Sequence, residues 1–238
     1  MEPFLFPVVF VAVFAAFALS ASAGFGGSLI LVPTLALALG TKPGVALAAL
    51  LLAANNLVKV FAYRSTLPYR KSLPVIVLVA AGTYLGAKLF VSAPERWVTI
   101  AVILSFALAF LVESLDLNRF RRIGSPLLAF ASGATSGFSG TSGPLKGLAV
   151  RALDLNRMHL VGALSLVSLV GDVTKTAVWT DAALLKGGDY LVALACVPLM
   201  LIATFLGRRF NYKIGERGYT GVFWTVMIGY TGRLLAGL

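Results

Sequence analysis

The chain has 238 residues, 59% of them hydrophobic and 12% charged, with a mean hydropathy of +0.92 and a net charge of +11. Soluble domains are about half apolar and about a quarter charged, so an ordinary soluble globule and a disordered chain are both excluded. A spanning helix takes about 20 apolar residues, so ten spans would fill about 200 positions and leave no room for a sizeable water-soluble domain.

Ten apolar segments run along the chain: 4–23, 28–40, 43–62, 74–91, 96–112, 125–138, 142–152, 158–180, 190–207 and 217–237. The first resembles a signal peptide in its small residues Ala21 and Ala23, but Glu2 is its only charged side chain. A signal peptide needs a positive n-region, so this stretch is expected to be the first membrane segment. Most segments are long enough to cross as helices, the form in which a backbone satisfies itself without water. Segments 28–40 and 142–152 are too short. At 1.5 Å per residue they reach only part of a ~30 Å hydrocarbon core, and each follows a Gly/Ser run. Each therefore reads as half of a broken or re-entrant hairpin.

The basic residues sort by loop. Twelve of them (Arg64, Arg70, Lys71, Arg119, Arg121, Arg122, Arg151, Arg157, Arg208, Arg209, Lys213 and Arg217) fall in loops that helix parity places on one side. The other side receives four, Lys42, Arg96, Lys186 and Arg233, with Lys88 at a nearby helix end. This bias marks the richer side as cytoplasmic and places both termini outside. It also accounts for the charge without nucleic acid, since the loops carry no aromatic-rich basic stripe.

Five segments per half is an odd number, so the second half enters the membrane inverted. Sequence echoes agree with this. Gly24-Phe25-Gly26-Gly27 matches Gly137-Phe138-Ser139-Gly140 at an offset of 113. Asn56, Lys59 and Tyr63 match Asp172, Lys175 and Trp179 at 116, while Thr83-x-Leu85-Gly86 matches Thr204-x-Leu206-Gly207 at 121. The expected fold is an all-α polytopic membrane protein of two inverted-topology repeats, 1–118 and 119–238. The second segment of each repeat is short or re-entrant after its Gly/Ser break.

Interrupted helices at matching positions of inverted repeats point to a transport site near the bilayer midplane. A half-helix that starts at a glycine break leaves its first N–H groups unpaired and directs partial positive charge there, which suits an anion. The first break offers Gly24, Phe25, Gly26, Gly27 and Ser28, with Ser28 as a cap and Ser22 just before the turn. The second offers Ser136, Gly137, Phe138, Ser139, Gly140, Thr141 and Ser142. The alternative use of these glycines is close helix packing, which is the favoured reading for Gly82 and Gly86 and stays open for Gly133-x-x-x-Gly137 and Gly143-x-x-x-Gly147.

Lys146 lies a few residues past the second break, where a charge needs a cavity or a partner, and it is the leading substrate counter-ion. Lys59 and Lys175 are expected to snorkel to the interface, with substrate guidance as the alternative. Asp172 lies one turn from Lys175 and can pair with it, either as a structural ion pair or as a coupling carboxylate. Asn56 joins Lys59, Asp172 and Lys175 as a candidate for gating or coupling. His159 is expected near the interface, and Cys196 as a small core residue. Tyr63, Trp97, Trp179, Tyr190 and Tyr212 fit an interfacial aromatic belt. No His/Cys/carboxylate cluster, nucleophile elbow or P-loop occurs in the sequence, so neither metal, cofactor nor catalytic residue is expected.

The early GFGGSLILVP, its echo GFSGTSGPLKGLAV and the two inverted halves resemble the sulfite exporter TauE/SafE family of membrane permeases. The resemblance covers nearly the whole chain. The matching residues are Gly24, Phe25, Gly26, Gly27 and Pro33, then Gly137, Phe138, Ser139, Gly140 and Pro144, with Ser139 in place of the first copy's glycine. It implies a bacterial inner-membrane exporter of sulfite or an organosulfonate such as sulfoacetate, working by alternating access. Its expected partners are a small anion and the lipid bilayer, and a homodimer is allowed. Arg64, Arg70, Arg121 and Arg151 would raise the local anion concentration, although topology is their first role. A channel-like anion conductor and a permease for small carboxylates are the competing readings. An intramembrane lipid enzyme ranks below both.

Overall fold

A computed structural model describes residues 13–14, 16–18, 20–21, 27–114, 125–141 and 143–210, and all regular structure among them is helical. Following a helical stretch within residues 13–21, the order is α1 (Gly27–Leu39), α2 (Thr41–Ala62), a single 3-10 turn (Arg64–Thr66), α3 (Tyr69–Ser92) and α4 (Glu95–Ser114). Then come α5 (Ser125–Ser139), α6 (Gly143–Arg151), α7 (Arg157–Asp181) and α8 (Gly187–Phe210). Most of segment 4–23 and all of 217–237 lie outside the described residues, as do Arg119, Arg121, Arg122 and Tyr212.

Among the described residues, four helices are long and apolar enough to cross a membrane: Thr41–Ala62, Tyr69–Ser92, Met158–Asp181 and Gly187–Gly207. The two short segments appear as α1, with 13 residues, and α6, with nine. At 1.5 Å per residue these rise about 20 Å and about 14 Å, short of a bilayer core. Pro33 lies inside α1, and α3 begins five residues before Pro74 rather than at it.

One residue, Gly40 at φ +91°, separates α1 from α2, a left-handed turn that glycine adopts without strain. Folding α2 straight back on α1 brings Gly44 so close that a Cβ there would lie 2.3 Å from the Leu35 carbonyl oxygen. Glu95, in the first turn of α4, accepts the Thr41 N–H at 2.8 Å and fixes the start of α2.

Glycine sets the tightest helix contact too. On α3, added Cβ atoms at Gly82 and Gly86 would each lie 2.2 Å from a carbonyl oxygen of α5, those of Phe130 and Ala134. On α5, added Cβ atoms at Gly133 and Gly137 would lie 2.3 and 2.2 Å from the Val79 and Thr83 oxygens of α3. The small-xxx-small spacings of Gly82/Gly86 and Gly133/Gly137 thus bring two backbones together. Gly147 serves no such contact: although buried, it has no atom of the described residues within 4 Å of an added Cβ.

The surface and the interior exchange their usual character. Leu57, Phe61, Leu89, Leu127, Leu191 and Phe205 are exposed, while Asn55, Asn56, Lys59, Ser136, Asp172 and Lys175 are buried. Hydrocarbon as the surrounding solvent explains this, because apolar side chains then cost nothing outside and polar groups must find partners inside. Cys196 is buried in the core as a free thiol.

Two aromatic expectations need correction. Tyr63 and Trp179 are 1% and 0% exposed rather than interfacial. The Tyr63 hydroxyl donates to the Ala21 carbonyl at 3.1 Å, and the Trp179 indole N–H to the Ala87 carbonyl at 3.3 Å. Each ring carries one polar atom, and an acceptor on a neighbouring helix removes its need for the interface. Trp97 and Tyr190 are exposed, as an interfacial belt requires.

Candidate anion-binding site

Three lysines and one aspartate converge inside the bundle. Lys59 comes from α2, Lys146 from α6, and Asp172 and Lys175 from α7. Lys59 and Lys175 are each 1% exposed, so neither snorkels to the interface. The reason is local: each ammonium finds acceptors at depth. Lys59 Nζ donates to Ser20 Oγ at 2.9 Å and more weakly to the Ser20 carbonyl at 3.4 Å. Lys175 Nζ donates to Ser136 Oγ and the Gly140 carbonyl, both at 3.1 Å, and pairs with Asp172 Oδ1 at 2.8 Å. The expected Asp172–Lys175 ion pair, one turn apart on α7, is present. Asn56 Nδ2 donates to the other oxygen, Asp172 Oδ2, at 2.6 Å.

Lys146 differs from both. It is 9% exposed and within electrostatic reach of Lys59, Asp172 and Lys175, yet no hydrogen bond or ion pair reaches it among the described residues. It sits in the first half of α6, beside the open space at Gly147. Two more polar atoms wait nearby in sequence or contact: Thr141 Oγ1, two residues before α6, and Asn56 Oδ1 are both buried with no partner. Buried polar groups are nearly always paired, so an orphaned hydroxyl and an ammonium without a partner among the described residues are unusual at one helix start. Among the described residues, these three buried lysines thus share one buried carboxylate.

The remaining candidates divide. Gly140 turns the chain at φ +78° after α5, and its carbonyl binds Lys175. Its lack of a side chain also clears Val45, whose Cγ1 would lie 2.6 Å from an added Cβ. Ser139 is committed to protein partners, with its hydroxyl 2.7 Å from Ser105 Oγ and 2.9 Å from the Thr135 carbonyl it donates to. Gly137 is used against α3. Phe138 lines an apolar groove with Trp97, Ile100 and Leu104. Ser28 lies in the first turn of α1 rather than before it, and Gly27 opens that helix against Ser20, whose Cβ would be 2.9 Å from an added one. Ser22, Gly24, Phe25, Gly26 and Ser142 lie outside the described residues. His159 sits in the first turn of α7, where Asn156 Oδ1 caps its N–H at 3.0 Å.

Ser20 is the residue that sequence reading missed. Its signal was its distance from Lys59: 39 residues, the same as from Ser136 to Lys175. Aligning the two Gly-rich runs on their GF dipeptides hid that match.

A bundle of apolar-faced helices with polar and charged groups buried inside it defines a multi-pass membrane protein. The chain matches the family model for Sulfite exporter TauE/SafE over residues 8–234, nearly its whole length, and it belongs to that family. No curated protein and no solved structure matches it. The family is one of membrane permeases that export sulfite and related sulfur anions, not one of enzymes.

Proposed function

We propose that this protein exports sulfite or a small organosulfonate such as sulfoacetate across a bacterial inner membrane by alternating access. The observation that carries the reading is Lys146: a buried cation without a partner among the described residues, beside the start of α6 and a Thr141 hydroxyl that is likewise unpartnered among them. A sulfonate or sulfite offers three acceptor oxygens, which match Lys146, Thr141 and the free N–H groups of the first turn of α6. Gly27 and Ser28 at the start of α1 are the corresponding groups of the other half.

The two-repeat architecture, 1–118 and 119–238, supports the mechanism. Asn56 and Asp172 are 116 residues apart, and the same spacing separates the starts of α1 and α6 (Gly27, Gly143) and of α2 and α7 (Thr41, Arg157). That register places Gly24 opposite Gly140 and replaces the 113 offset of the GF dipeptides. Contacts repeat in the same order. An added Cβ at Gly86 would meet the Ala134 oxygen at 2.2 Å, and one at Gly207 the Ala18 oxygen at 2.4 Å. Likewise Thr204 bonds Asn55 at 3.3 Å, as Thr83 faces Gly171, where an added Cβ would lie 3.5 Å from its hydroxyl. Each half thereby packs its fourth segment into the other half, an arrangement that lets the halves rock about a shared centre. Inverted topology with both termini outside follows from the basic loops.

Thermal unfolding of the purified protein across a panel of small anions tests the reading. A ligand that binds only the native state raises its stability, by about 2.7 kcal/mol at 100 times Kd. Sulfite and sulfoacetate should stabilise, while acetate and chloride at equal ionic strength should not. Equal responses to acetate would favour the carboxylate permease instead, and efflux that never saturates would favour a channel.

A further inference from the structure

We propose that Asp172 is a latch. It is a lone carboxylate at the pseudo-two-fold axis that occupies Lys175 while the site is empty and yields that lysine to the arriving anion. The inference rests on the exporter reading and its two-repeat register, and it adds the step by which substrate loosens the contact between the halves.

Position comes first. Asn56 and Asp172 occupy the same place in their repeats, 116 residues apart, and they are bonded to each other at 2.6 Å. Two equivalent groups can touch only where the symmetry axis passes between them, as in any two-fold interface. The α2–α7 contact therefore crosses the axis at this hydrogen bond. Whatever changes the bond acts on the pivot of both halves.

Valence comes second. An ammonium has three hydrogens to donate. Lys175 directs them to Asp172, Ser136 and Gly140, at 2.8, 3.1 and 3.1 Å. Lys175 can therefore bind an anion only by releasing one of these acceptors. Lys146, with no hydrogen-bond partner among the described residues, provides the first contact. A bound anion then opposes Asp172 electrostatically and takes its place on Lys175, so the carboxylate is the acceptor released.

Asymmetry comes third. The first half carries Asn56 where the second carries Asp172, so Lys59 has no carboxylate three residues before it. The device needs one negative charge, not two, because a second would halve the excess of three lysines over one carboxylate, from two charges to one.

Asp172→Asn and the transplant Asn56→Asp/Asp172→Asn, which moves the carboxylate across the axis to a position three residues before Lys59, separate a latch from a structural ion pair. Sulfite efflux from proteoliposomes and the thermal shift produced by sulfite are measured on each, with unfolding in detergent as the folding check. Asp172→Asn should lower KM for sulfite at least threefold and maximal efflux at least tenfold, because binding loses its competitor and the cycle loses its reset. The transplant should regain at least tenfold in maximal efflux over Asp172→Asn. A folded Asp172→Asn whose KM rises or stays unchanged overturns the latch. So does a transplant as inactive as Asp172→Asn, or one that does not fold, since the two axis positions would then not be interchangeable. Wild-type efflux without these variant ratios fails the latch alone. Sulfite binding that keeps the variant order, with no wild-type efflux, fails the exporter reading alone.

Discussion

Lys59 and Lys175 hold their ammonium groups in the same way: each donates to a serine hydroxyl 39 residues earlier in the chain, Ser20 at 2.9 Å and Ser136 at 3.1 Å. A lysine at membrane depth persists only with such acceptors. The matched pairs carry each lysine to the centre of the bundle rather than to its rim.

Removing either serine should therefore cost a similar amount. A hydrogen bond to a charged group contributes about 1.5–3 kcal/mol. Ser20→Ala and Ser136→Ala should each lower unfolding free energy by about that much, measured by chemical denaturation in detergent micelles. A loss in one variant with no change in the other would break the proposed equivalence of the two half-sites.

The glycines make opposite predictions along the chain. Gly86→Ala sets a Cβ 2.2 Å from the Ala134 oxygen, so α3 and α5 must part. Overpacking of this kind costs about 1–3 kcal/mol. Gly147→Ala meets no described atom within 4 Å and gains helix propensity, so its stability should hold or rise. The comparison reads out as melting temperatures of two otherwise identical preparations.

Lys146 should trade stability for binding. Replacing a buried, unpaired cation with an apolar side chain removes a desolvation cost, so Lys146→Met should melt higher than wild type when no anion is present. A chain of this size gains about 2–4 °C per kcal/mol. The same variant should lose most of its stabilisation by sulfite, because the anion loses a cation that has no other partner among the described residues. A Lys146→Met protein that is both less stable and fully responsive to sulfite would show that this lysine is structural.

Much of this architecture could be read before any coordinates. The Gly/Ser runs bound short apolar stretches, and α1 (Gly27–Leu39) and α6 (Gly143–Arg151) appear within a few residues of where those runs place them. The Asp172–Lys175 pair was legible because i and i+3 face each other on any helix. The depth of the lysines was not. Whether a lysine snorkels or stays depends on an acceptor on another segment, and Ser20 declares itself only once the helix within residues 13–21 lies against α2. Tyr63 and Trp179 were misplaced for the same reason, since their acceptors, the Ala21 and Ala87 carbonyls, lie 42 and 92 residues away.

If the buried lysine cluster binds and moves a sulfur oxyanion, replacing Lys146 must show in transport. Sulfite efflux from proteoliposomes, wild type against Lys146→Met at equal incorporation, tests it most directly. Efflux by the wild-type protein should saturate, and the variant should lose at least tenfold in kcat/KM. Equal rates in the two, or no sulfite efflux by a folded wild-type protein, would contradict it.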